Sequence, residues 1–172
     1  MEESPLMLAV EISGWTDFFV AEAGATAALA GLLFVAMSIN IKEILAFPQL
    51  PRRAAETLIV LVGALVAASA ALLPGLSTRG LGLILVVVTT VTWLMALVME
   101  VRGVGTRETG PAPVLIGFRV FLGQAATLPA VVGAVMLVAG SVDGLYLVAA
   151  AIMLTFVVAI TNAWVLLVEI LR

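Results

Sequence analysis

Residues 18–53 read FFVAEAGATAALAGLLFVAMSINIKEILAFPQLPRR. A helix rises about 1.5 Å per residue and crosses the hydrocarbon core of a bilayer in about 20 residues. The apolar run from Phe18 to Ile41 therefore predicts a membrane span. The segment after it, Lys42 to Arg53, carries Lys42, Arg52 and Arg53 and two helix breakers, Pro48 and Pro51, and predicts a loop. The same alternation recurs along the chain, with further spans expected at 54–74, 81–99, 114–139 and 145–168. Arg102, Arg107 and Arg119 follow the third run and Arg172 follows the fifth, so only Arg79 among the eight cations falls on the other side. Short loops rich in Lys and Arg stay in the cytoplasm. The expected fold is all-α: a polytopic bundle of five transmembrane helices forming one integral membrane domain over 1–172, N-terminus outside and C-terminus inside. Residues 1–17, with Glu2, Glu3, Glu11, Trp15 and Asp17, are expected to form an interfacial lead-in on the outer surface.

Composition sets the solvent. The chain is 63% hydrophobic and 11% charged, whereas soluble domains are charged at about a quarter of their positions. It has neither Cys nor His, which removes thiolate ligands together with the commonest general base and metal ligand. No metal site, cofactor or enzymatic activity is expected. The cytoplasmic arginines are spread along the loops as orientation requires, so no nucleic-acid partner is expected either. The N-terminus lacks a basic n-region, and the first apolar run is expected to remain as an anchor rather than be cleaved.

Small residues mark candidate packing faces. Gly24, Ala27, Ala28 and Gly31 share one face of the first span, and Gly123, Ala126, Ala130 and Gly133 repeat the device in the fourth. Such faces let helix backbones approach closely in lipid. They suit packing inside the bundle, or a homo-oligomer contact along the first helix. Pro129 predicts a kink in the fourth span.

Polar residues inside spans are the candidate functional groups. Glu22 is the carboxylate expected deepest in an apolar run, and Asn40 follows five turns later on the same face. Together they suit either a pore lining or two interfacial anchors. Thr155, Asn162 and Glu169 recur at intervals of seven along the fifth span. That stripe is expected to face another helix, with Thr89, Thr90, Thr92 or Gln124 as partners, or to line a ligand path. Trp93, Trp164 and Tyr146 are placed for interface belts. Arg119 is expected to reach the cytoplasmic surface or pair with Glu100. The loop from Glu100 to Pro113, including Arg102, Arg107 and Glu108, is the expected contact surface for a partner.

Four stretches, GATAALAGLLFVAMSINI (24–41), LPRRAAETL (50–58), TLPAVVGA (127–134) and NAWVLLVEI (162–170), resemble a family of small bacterial membrane proteins often labelled modulators of the FtsH membrane protease. The resemblance runs from Trp15 to the end of the chain. It implies a multi-pass protein of the bacterial plasma (inner) membrane that acts on another membrane protein, and it assigns no functional residues. The run Ala30 to Met37 also resembles the pore helix of Orai calcium channels, with Ile39 where that filter places a glutamate. The leading expectation is a non-enzymatic protein that binds and modulates a membrane-protein partner. The alternative is a homo-oligomeric pore lined by the first helix, with Glu22 at its outer mouth. A third reading is a lipid or small-molecule binder.

Overall fold

Among the described residues, five helices are long and apolar enough to cross a membrane. The computed structural model describes residues 14–47, 50–104 and 113–170. Its helices are α1 (Thr16–Ile39), the short α2 (Ile41–Ala46), α3 (Leu50–Ala71), α4 (Thr78–Val104), α5 (Pro113–Val138) and α6 (Gly144–Ile170). Residues 1–13 of the expected lead-in lie outside the described residues, as do Arg107 and Glu108 of the expected partner loop. The side chains of Arg119 and Glu169 also lie outside them.

The helices are longer than expected where hydrophilic residues cap them. The expected loop 42–53 instead contains α2 and the start of α3, and Pro51 lies in the first turn of α3. Proline is harmless there because the first amides of a helix have no intrahelical acceptor. At the end of the next hairpin α4 continues through Glu100 and Arg102, which are helical rather than part of a loop. Asn40 closes α1: its Nδ2 donates to the Ala36 carbonyl at 2.9 Å. α5 continues through Pro129.

At the opposite end of the bundle the turns are tight. Ser77 caps α4, its hydroxyl accepting the Gly80 amide at 3.1 Å. Gly140, at φ +96, ends α5 in the left-handed conformation that lets Ser141 N donate to Met136 O and Gly140 N to Leu137 O. These short connections make α3 with α4, and α5 with α6, antiparallel hairpins.

The hairpins join into a ring in which α4 packs on α5, α5 on α6 and α6 on α3. Glycines allow the closest approaches. A Cβ at Gly82 would lie 2.6 Å from the Val138 amide nitrogen, and Gly133 of α5 meets Gly144 of α6 backbone to backbone. α3 touches α1, α4 and α6; its buried Ala64, Ala67, Ala68 and Ala70 leave room for three neighbours. Half of its membrane window is buried, against 17% for α1.

α1 therefore stands outside the four-helix ring and is docked mainly on α3. Its buried residues Phe19, Thr26 and Leu33 recur at intervals of seven along one narrow seam. Trp15 secures its first turn, stacking edge-on against Tyr146 of α6 with centroids 4.7 Å apart.

The cation distribution predicts which end faces the cytoplasm, and the cysteine-free chain makes this measurable. Asp143→Cys is expected to react with an impermeant thiol reagent on intact cells, and Lys42→Cys only after the membrane is opened. Labelling of Lys42→Cys in sealed cells would reverse the orientation.

Candidate functional site

The largest concentration of buried polar groups lies at the arginine-bearing end of the ring, where α3 and α5 begin and α4 and α6 end. Glu56, in the second turn of α3, and Glu100, near the end of α4, are both buried. They share the walls of a cavity of about 20 Å³ with Thr57, Thr127, Thr155 and Asn162. A space of that size holds about one water molecule. Sequence reasoning placed Glu22 as the deepest carboxylate. Glu56, near the start of the expected span 54–74, and Glu100, just beyond the expected end of 81–99, are the enclosed ones, because both face the cavity inside the ring.

Two hydrogen-bond chains join the helices here. In the first, the Trp93 indole donates to Gln124 Oε1 at 2.7 Å, and Gln124 Nε2 donates to Glu100 Oε2 at 2.9 Å. Trp93 is thus a half-buried donor between α4 and α5 rather than part of an interface belt. In the second, Asn162 Nδ2 of α6 donates to Thr57 Oγ1 of α3 at 3.1 Å, while that hydroxyl donates to the Arg53 carbonyl at 2.9 Å. Asn162 does bond another helix, but its partner is Thr57 and not one of the expected threonines of α4 or Gln124. Thr89, Thr92, Thr127 and Thr155 each donate to a carbonyl of their own helix. Arg52, Arg53, Glu56 and Glu100 are all engaged, as charges withdrawn from water must be.

Gly123 belongs to this site for a reason unlike the one expected. A Cβ there would collide with the Glu100 carboxylate, so the glycine makes room for a charged side chain and not for a neighbouring backbone. Ala126 is buried, Ala130 partly buried, and Gly133 forms the close approach to α6. Of the four residues of the expected seam, Gly133 meets a neighbouring backbone, whereas Gly123 faces the Glu100 side chain.

On α1 the expected internal seam is absent. Gly24, Ala27, Ala28 and Gly31 are all exposed, and a Cβ added at Gly24 or Gly31 meets nothing within 4 Å. With about 100° of rotation per residue, this face lies well away from the seam of Phe19, Thr26 and Leu33. Ala21, Gly24, Ala28, Gly31, Val35 and Ser38 extend it at alternating spacings of three and four, every one exposed. Glu22 is half-buried and lies on roughly the opposite side of α1 from that stripe. Its Oε2 is enclosed and meets no hydrogen-bond partner among the described residues. Trp164, Tyr146 and Arg102 are exposed.

Chemically, the buried cluster supplies carboxylates, an amide pair and a water-sized space. No group of three acidic, His or Cys side chains that could hold a metal occurs among the described residues. The threonine hydroxyls are turned back onto their own helices, so the polar groups serve to join α3, α4, α5 and α6. Comparison with known proteins adds no identification, since no family model, curated protein or solved structure matches the chain.

Proposed function

We propose that this chain is a non-enzymatic protein of a bacterial plasma membrane that binds another membrane protein through α1 and modulates it. The observation that carries this reading is the placement of α1. A ring of four helices is internally braced by part-buried hydrogen bonds between helices, while α1 is attached along one seam and leaves its small-residue face uncovered. Between membrane helices, small residues matter because they allow close packing and the dispersion contacts that come with it. Another helix laid on this face can approach closely enough to gain those contacts. The resemblance to modulators of a membrane protease suggests the class of partner.

Photo-crosslinking in native membranes tests the proposal. A crosslinking residue at Ala28 should capture a protein of a different mass, whereas one at the buried Thr155 should not. Gly31→Leu should reduce capture from Ala28 by at least about tenfold, the equivalent of about 1.4 kcal/mol, and leave the melting temperature of the purified chain unchanged. Capture that is indifferent to Gly31→Leu would remove α1 as the binding helix. A ladder of this chain alone, with cation flux from the purified protein that Glu22→Gln abolishes, would establish the pore in its place.

A further inference from the structure

Between α3 and α4 the outer surface of the ring opens into a groove of about 480 Å³. Val62, Gly63 and Val66 wall it on one side, and Val87, Val91 and Met95 on the other. Its origin is local. Gly63 has no side chain and Thr92 occupies the place of its Cβ, so the two helices meet there while the short valines beside the contact leave the space above it unfilled. The one polar side chain in the walls, Thr92, commits its proton to the Val88 carbonyl at 2.8 Å. A polar occupant would find little to bond.

The groove leads to a cation. Along α4 its face continues from Val91 and Met95 through Val98 to Arg102, at spacings of four, three and four, and all four residues are exposed. Arg102 stands about 10 Å beyond Met95 at a rise of about 1.5 Å per residue, in the last turn of α4. α3 begins at the same end, with Arg52 and Arg53 in its first turn.

We propose that the groove and Arg102 form a site for one anionic phospholipid, with an acyl chain lying between α3 and α4 and the phosphate against the Arg102 guanidinium. The walls belong to two membrane spans, so the material available to fill them is hydrocarbon. A chain seated there gains the dispersion contacts that an unfilled groove lacks. The guanidinium offers paired donors to phosphate oxygens at the level where headgroups lie. Apolar walls ending in a basic residue match a molecule that is apolar for most of its length and negative at one end.

Native mass spectrometry of the purified full chain, titrated with phosphatidylglycerol and with phosphatidylcholine of identical acyl chains, tests the site. The wild-type chain should retain one phosphatidylglycerol with a preference of about fivefold, as expected for one arginine near an anionic headgroup. Arg102→Gln should abolish the preference while both lipids still bind. Val62→Trp, which fills the groove, should remove retention of both, and Val91→Trp does the same from the opposite wall should the first variant fail to fold. Val135→Trp, on an exposed position of α5 outside the groove walls, should bind as wild type does. Equal retention of the two lipids by the wild-type chain, or undiminished retention in a folded groove-filling variant, would overturn the proposal.

Discussion

Gly133→Leu is expected to prevent the bundle from assembling, and Gly31→Leu to leave the isolated chain intact, although both replace a glycine on a small-residue face. At Gly133 the first added carbon meets the Gly144 carbonyl oxygen, with Leu147 Cβ 3.0 Å and Val148 Cγ2 3.1 Å away. Two of those three atoms cannot be moved by turning a side chain. α5 would have to leave α6, and these helices form the most extensive helix–helix contact among the described residues. Overpacking a tight site typically costs about 1–3 kcal/mol. Here the separation would also forfeit dispersion contacts along the whole seam, and in lipid no hydrophobic driving force restores them. The melting temperature and monodispersity of the purified variants in mild detergent check this. Gly133→Ala should fall between wild type and Gly133→Leu, since its single carbon already meets the carbonyl. A Gly133→Leu chain that melts with the wild type would show that α5 and α6 do not approach at this point.

Glu100→Ala is expected to destabilise the protein strongly, and Glu100→Gln considerably less. Gln124 is held from both sides, accepting from Trp93 and donating to Glu100. Removing the carboxylate leaves the Gln124 amide without its acceptor inside the bundle. An orphaned buried donor costs about 1–3 kcal/mol, and the emptied space beneath Gly123 adds a cavity. Glutamine keeps the shape and can still accept through its own carbonyl oxygen. Adding Gln124→Leu together with Trp93→Phe to Glu100→Ala should recover part of the loss, because the whole chain of donors and acceptors is then removed and none is left unpaired. Thermal melts of the four chains measure the effect. Equal losses for Ala and Gln at position 100 would mean that the bond from Gln124 contributes nothing.

Much of the buried site was within reach of a different reading of helix limits. Glu56 lies in RRAAETL, at the start of the expected span 54–74, and treating Pro51 as the start of a helix would have put this carboxylate about one turn further inside α3. Extending α4 beyond Met99 would have enclosed Glu100 in the same way. Hydropathy windows stop at the first charges, so they cut away the residues that a helix carries just inside its ends. The hydrogen bonds were less accessible. Asn162 was recognisable as a residue that must bond across helices, but nothing in its spacing distinguishes Thr57 from the threonines of α4. Trp93 looked like an interfacial residue because its distance from the helix end allows that role as readily as a bond to Gln124.

Sequence alone determined that the chain is built of five apolar helices of membrane-crossing length, because length and hydropathy are properties of a segment taken by itself. Its cations likewise state which end is expected inside, since each acts on its own loop. Only the tertiary structure decided which faces meet. A soluble helix announces its buried face by being polar on the other, but α1 carries apolar residues on every side, and in lipid an apolar face is equally acceptable covered or bare. The selection then falls to shape. The same device of small residues is covered on α5, where Gly133 meets Gly144, and bare on α1, where Phe19, Thr26 and Leu33 make the contact and Gly24 and Gly31 face outward.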